Sequence, residues 1–331
     1  MTSAGVFGLL EKTEVLAIVL GRSVTPDVGQ LTALAPNDLD RLAYFHTAMS
    51  GEAPKDSTAF GISVPDLPLA TLIHAAREIM ALWGQADPAA LFARREMILV
   101  RAASRMRAEE DRAPAVLRHF AQESDVSEVA LRQPYAQFFA VEERKIGWRR
   151  FDGGHYSPIL RAAFVSGDAV TVLPYDPVRD RVLVVEQFRA GPHARGDRQP
   201  WQIEAIAGRI DPGETPAEAA RREAVEEAGL HLGGLHKVAD YYPSPGILTE
   251  YLYSFVAIAD LPDAAAGIFG LESEQEDIRG HCLSLEQLMQ LVASGEVANA
   301  PLILTALWLQ RERGTLRVGG SVVSEPNSQI A

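Results

Sequence analysis

Gly208-Arg-Ile-Asp-Pro-Gly-Glu214-Thr215-Pro216-Ala-Glu218-Ala-Ala-Arg-Arg222-Glu223-Ala-Val-Glu226-Glu227-Ala-Gly229-Leu230 decides how this chain is read. Asp211-Pro212-Gly213 has turn chemistry. Thr215 carries an N-cap side chain, Pro216 suits the first helical position, and Glu218, three residues after the cap, closes a capping box. The helix begun there runs to Ala228, and Gly229 can take the left-handed stop. On it Glu223, Glu226 and Glu227 stand at i, i+3 and i+4, so all three carboxylates leave one face. Ala219 and Ala220 occupy the positions where an upstream Lys or Arg would relieve Glu223, and Arg222 assists only part of the cluster. Uncompensated hard oxygens on a rigid element suit Mg²⁺, with Mn²⁺ as an alternative, water and phosphate oxygens completing the shell.

On either side of this helix the chain reads as short β-type runs: Gln137 to Val141, His155 to Val165, Val170 to Leu173, Val182 to Phe188, Trp201 to Ala207 and Tyr251 to Ile258. Tyr175 to Asp180 joins two of them as a hairpin connection. Ser284 with Gln287, and Pro301, sign the starts of two late helices.

The quoted stretch matches the Nudix box, G-x5-E-x7-R-E-U-x-E-E-x-G-U, at Gly208, Glu214, Arg222, Glu223, Glu226, Glu227 and Gly229, with Leu230 last and a small Ala224 at the inner aliphatic position. Val185-Glu-Gln-Phe-Arg189, Trp201-Gln-Ile-Glu204, Tyr242-Pro-Ser-Pro-Gly246 and Glu272-Ser-Glu-Gln-Glu-Asp-Ile278 resemble, in the same order, segments of bacterial ADP-ribose pyrophosphatases. The resemblance covers about residues 135 to 313 and implies a Nudix α/β/α sandwich. It implies an enzyme that cleaves ADP-ribose to AMP and ribose 5-phosphate with Mg²⁺. Its metal ligands would be Glu223 and Glu227, with Glu226 beside them and the Ala207 carbonyl completing one site. The base would be Glu274, with Glu276 its competitor, unless it lies on the box helix itself, where Glu226 is a further catalytic candidate. Substrate contacts are expected at Arg189, Arg161, Glu204, Gly208 and Pro245. In related enzymes a homodimer builds the purine site from exchanged strands, here within 135–165. Two other activities stay open: hydrolysis of another nucleoside diphosphate sugar or a dinucleotide, and ADP-ribose sensing without turnover.

The 331 residues amount to about two domains. The expected division is an N-terminal α+β domain over 1–113, a charged linker at 114–133, the Nudix domain at 134–313 and a tail at 314–331. Leu72 to Trp83 and Ala89 to Arg107 have helical spacing, interrupted at Asp87-Pro88. The run Arg94, Arg95, Arg101, Arg105 and Arg107 reads as a solvated helix face packed on an acidic neighbour. Val6 to Leu10 and Leu42 to His46 distantly resemble two signatures of γ-glutamylcyclotransferase-like domains, without the acids of the second. With a Nudix domain that arrangement is similar to tellurite-resistance-associated proteins and implies an inactive module. Residues 1–113 hold 11 basic and 14 acidic residues out of 31 and 44, which leaves 20 against 30 for the remainder. So acidic a chain is not expected to bind nucleic acid, and an anionic substrate needs a bridging cation. One cysteine, Cys282, excludes an internal disulfide, and no apolar stretch is long enough to span a membrane, so a cytoplasmic protein is expected.

Overall fold

Val15, Leu16, Val19 and Leu20 bury one side of a helix, α1 (Thr13–Leu20). So short an apolar run carries no periodicity that separates strand from helix. In this computed structural model, residues 13–24, 34–54, 67–110, 114–270 and 276–318 are described. Helices α2 (Pro36–Ser50), α3 (Leu69–Ala81), α4 (Pro88–Phe92) and α5 (Arg95–Glu110) follow. They enclose a core that includes Phe45, Met49, Leu72, Ile79 and Ile98. Before residue 126 the described residues contain helix and no strand, so the N-terminal segment expected to be α+β is helical there. The Val6 to Leu10 signature lies outside the described residues, and in the second signature Leu42, Tyr44 and Phe45 belong to the core. Asp87 stops the chain as expected: its Oδ1 accepts from the Ala89 N–H at 3.0 Å and starts α4.

The basic run departs from its expected solvated face. Arg101 is wholly buried, donating through Nη2 to Glu78 Oε1 at 2.5 Å and through Nε at 3.0 Å. Arg105 donates to the other Glu78 oxygen at 2.9 Å and also reaches Glu142, which Arg144 approaches in turn. A chain of alternating charges therefore replaces solvent, because helix α5 packs on α3 rather than facing water.

Strands β1 (Val126–Ala136), β2 (Ala140–Trp148) and β3 (Ile159–Val165) form an antiparallel sheet in that order. β1 thus takes up the last eight residues of the expected linker, 126–133. Its residues are nearly all exposed, which is why no apolar alternation announces it. These strands group with the helices in a first unit, Met1–Gly167 with Asp211–Gly213 and Ser244–Thr249.

The second unit comprises Asp168–Ile210, Glu214–Pro243 and Glu250–Ala331. Its strands are β4 (Ala169–Asp176), β5 (Arg181–Phe188), β6 (Trp201–Glu204), β7 (Ile206–Arg209), β8 (Leu235–Tyr241), β9 (Leu252–Ile258), β10 (Ile268–Phe269) and β11 (Ile278–Ser284). The order along the sheet is β10-β11-β5-β4-β9-β8, with β6 on β5 and β7 on β4. All neighbours are antiparallel except β4 and β9, which run parallel with Thr171 opposite Ser254. Between β5 and β6 lies the short helix α6 (Ala190–Arg195).

Alternation sorts these strands onto two cores. Val170, Val172, Leu183 and Val185 face the alanine side of helix α7 (Pro216–Ala228), and Leu173, Tyr175, Val182 and Val184 face α8 (Leu285–Ser294) and α9 (Ala300–Val318). The result is the expected α/β/α sandwich. Helix α9 runs five residues into the expected tail. It is held there by Arg313 and Arg317 on Asp180, whose φ of 57° closes the β4–β5 turn. No helix among the described residues is long and apolar enough to cross a membrane.

Candidate active site

Helix α7 forms where its caps require. Thr215 Oγ1 accepts from the Glu218 N–H at 3.3 Å, the Glu218 carboxylate accepts from the Thr215 N–H at 2.8 Å, and Gly229 ends the helix at φ 61°. Its buried side consists of Ala219, Ala220, Ala224 and Ala228 together with Glu227. A small-residue face lets a helix lie close to a sheet, and here that closeness brings Glu223 down on β7. A Cβ placed on Gly208 would overlap the Glu223 carboxylate, so glycine is required there by packing alone.

Arg222 distributes its donors among the acids of the box. Nε and Nη2 reach Glu214 at 2.8 and 3.0 Å, Nη1 reaches Glu223 at 2.8 Å and Glu226 at 2.9 Å, and Nη2 also caps the Arg209 carbonyl at 2.9 Å. Glu227 is left out of this arrangement and accepts from the Ala207 N–H at 3.1 Å. Burial pushes Glu223 up to about 7 against the pull of Arg222, with Glu226 and Glu276 adding to the rise. Burial likewise pushes Glu227 up to about 8, opposed by the Ala207 N–H and Arg189 and reinforced by Glu223 and Glu276.

Glu276 is thus near enough for its charge to act on both box carboxylates. Glu274 lies outside the described residues. On the flank, Arg189 holds Glu204 through Nε at 2.8 Å and Nη2 at 2.7 Å while its side chain stays two-fifths exposed. Glu204 is almost wholly buried, and its other oxygen accepts from Asn299 at 2.8 Å. Both oxygens thus have a partner within the protein, Arg189 on one and Asn299 on the other. Glu250 was not anticipated from the sequence: burial raises its pKa, with Arg209 and Arg189 opposing. An acid among Leu248, Tyr251 and Leu252 was the available signal.

The second unit so gathers Ala207, Gly208, Glu223, Glu226, Glu227, Glu276, Arg189 and Glu204. Arg161 and Pro245 fall in the first unit, where Arg161 is an exposed residue of β3 stacked over Trp148 at 5.6 Å. Among the described residues no three His, Cys, Asp or Glu side chains make a ready cage for an ion. The donor set nonetheless fits Mg²⁺. Glu223 and Glu227 are desolvated hard oxygens that a cation would return to their charged form, and Mg²⁺ needs only one or two carboxylates beside waters and phosphate.

The NUDIX domain profile matches residues 165–305. The ADP-ribose pyrophosphatase of Escherichia coli (strain K12) is 37% identical over 194 residues, 59% of this chain and 92% of that protein. The enzyme of the same name from Haemophilus influenzae is 34% identical over 196 residues, 59% of this chain and 89% of its own. A GDP-mannose pyrophosphatase of Salmonella choleraesuis is 33% identical over 150 residues, 45% and 77% of the two chains. With its box residues assembled on α7 and β7 and its relatives matched over most of their length, this chain belongs to the Nudix hydrolase family.

Proposed function

We propose that this protein hydrolyses the diphosphate of ADP-ribose, releasing AMP and ribose 5-phosphate. The observation that carries the reading is the pair Glu223 and Glu227, acids out of water on a fully capped helix, with the charge of Glu276 acting on both and the part-exposed side chain of Arg189 beside them. Glu223, Glu227, Glu226 and the Ala207 carbonyl would hold Mg²⁺, or Mn²⁺ in its place. When bound, the ion supplies charge neutralisation for the diphosphate and acidifies the attacking water. Arg222 keeps Glu223 and Glu226 oriented toward that position. Arg189 binds a phosphate oxygen, and Glu250, an acceptor only, suits a sugar hydroxyl rather than the diphosphate. A carboxylate of the loop takes the proton as water oxygen bonds to phosphorus and the bridging P–O bond breaks. We assign that base to Glu274, with Glu276 its competitor.

The GDP-mannose pyrophosphatase likeness favours a second reading, a nucleotide sugar other than ADP-ribose. Turnover of both compounds with Mg²⁺, products resolved by chromatography, separates them. AMP and ribose 5-phosphate as the faster products support the first reading, and a preference for GDP-mannose overturns it.

We also infer a homodimer. Strands β1 to β3 leave Val129, Leu131, Tyr135, Phe139, Leu160 and Phe164 exposed, a load of apolar surface suited to a second copy. Light scattering of the full chain tests it. The N-terminal helices take no part in the chemistry proposed here, consistent with an inactive appended module of the tellurite-resistance-associated type. A soluble cytoplasmic enzyme is the corresponding setting.

A further inference from the structure

The start of helix α9 reaches into the active site through two side chains. Asn299 caps that helix: its Oδ1 accepts from the Leu302 N–H at 2.9 Å, and its own carbonyl accepts from Ile303 at 3.0 Å. The amide has a second end, and Nδ2 donates to Glu204 Oε1 at 2.8 Å. Glu204 in turn offers only Oε2 to Arg189, which it holds through both Nε and Nη2. One amide therefore joins a backbone terminus, whose place is set by Leu302, Ala306 and Leu309 in the core, to the guanidinium of Arg189.

We propose that Asn299 is a positioning residue for Arg189, acting through Glu204, and that it sets how tightly the diphosphate is held. The inference rests on the proposed hydrolysis and extends it to a residue 110 positions from Arg189 in the chain. A buried carboxylate with one oxygen unengaged can rotate about its last torsion, which is broad and two-fold. Asn299 removes that freedom by holding Oε1, so that Oε2 stays aimed at Arg189. An Arg that is paired side-on in this way keeps its remaining N–H groups in a fixed fork for a phosphate. The same side chain could not be replaced by a plain N-cap: Ser caps a helix as well as Asn but has no amide to give Glu204.

That asymmetry supplies the test. Asn299→Ser keeps the cap and loses the donor, and Asn299→Ala loses both. In Asn299→Ser, which keeps the cap but leaves a buried Glu204 oxygen without its donor, the melting temperature should fall less than in Asn299→Ala, while KM for ADP-ribose with Mg²⁺ rises about 10-fold. Because Asn299 acts on the grip of Arg189 and leaves the metal-directed acids in place, kcat should change less than KM. In an Arg189→Ala background the same Ser substitution should change nothing further, because the only route from Asn299 to the substrate is gone. An equal KM penalty in both backgrounds overturns the proposal, as does a fall in kcat with KM unchanged. If the unmodified protein turns over no nucleoside diphosphate, the functional reading has failed on its own account. The positioning is then decided by a crystal structure of Asn299→Ser, where Glu204 and Arg189 in unaltered rotamers overturn it and displaced ones support it.

Discussion

Glu78 and Glu227 are both carboxylates taken almost wholly out of water, and the chain treats them in opposite ways. Glu78, in the helical unit, has one oxygen on Arg101 and the other on Arg105, and Arg105 continues to Glu142 and Arg144. Glu227, on the Nudix helix, has a single backbone N–H, and the nearby Glu223 and Glu276 oppose its charge. Burial that is matched by counter-charge builds a frame. Burial left unmatched costs stability and persists where an incoming cation completes the site, which is the usual physical mark of a functional position.

The sharpest way to break the comparison is to neutralise the buried acids of the box helix. Glu223→Gln and Glu227→Gln should each lower kcat by several orders of magnitude; the melting temperature should hold or rise in Glu227→Gln and fall slightly in Glu223→Gln, which weakens the ion pair with Arg222. Turnover within about tenfold of the unmodified protein in both variants would falsify the metal assignment. Next in size is the loop. Glu274→Gln should lower kcat by about 10² to 10⁴ with KM nearly unchanged, and Glu276→Gln by less. Should Glu276→Gln be the crippled variant, the base sits two residues further on. If neither is impaired, it lies on α7.

Neutralising the matched acid should do the reverse. Glu78→Leu leaves Arg101 buried without a counter-charge, and denaturant titration should show a loss of about 3–5 kcal/mol. The surviving folded enzyme should keep its kcat. A stability loss below about 1 kcal/mol would mean that water reaches Arg101 and that the frame is not dry.

The last test is in pH. Glu223 and Glu227 are raised from 4.5 to about 7 and about 8, so the folded state holds protons that the unfolded chain has released. Their contribution to stability is complete below about pH 4.5 and is lost as pH rises through 7 to 8. Without metal, the melting temperature should therefore fall between pH 5 and 8, and Mg²⁺ should raise it more at pH 8 than at pH 6. A metal-free melting temperature that climbs over that range would show that the two acids are charged in the folded protein.

What could be read beforehand follows the range of the interactions. Helix α7 was legible to the residue because Thr215, Pro216, Glu218 and Gly229 act on backbone within a few positions of themselves. Strands β4 and β5 were legible because both faces are buried and their apolar runs are continuous. By contrast β8 and β11 mix His236, Lys237, Asp240, Arg279 and His281 with few apolar residues and gave no signal. The burial of Arg101 was invisible, because an arginine run looks the same whether its partner is water or Glu78, 23 residues away. The box named its acids by type and spacing, yet their desolvation depends on α7 lying close over Gly208. Asn299 shows the limit most plainly: Pro301 signals a helix start, but nothing local links that cap to Glu204, 95 residues earlier.

The parallel pairing of β4 with β9 also governs when this protein can fold. Thr171 meets Ser254 across 83 residues, and until β9 has been synthesised β4 lacks its central neighbour. Closing so long a loop, and in parallel register, is an intrinsically slow event. During synthesis the helices of residues 13–110 emerge first, with contacts such as Arg101 to Glu78 already within reach. Meanwhile the face of β4 and β5 that carries Leu173, Tyr175, Val182 and Val184 waits for α8 and α9, the last helices made. A ribosome pausing between residues 188 and 285 would hold the chain with that face uncovered, at its most aggregation-prone length.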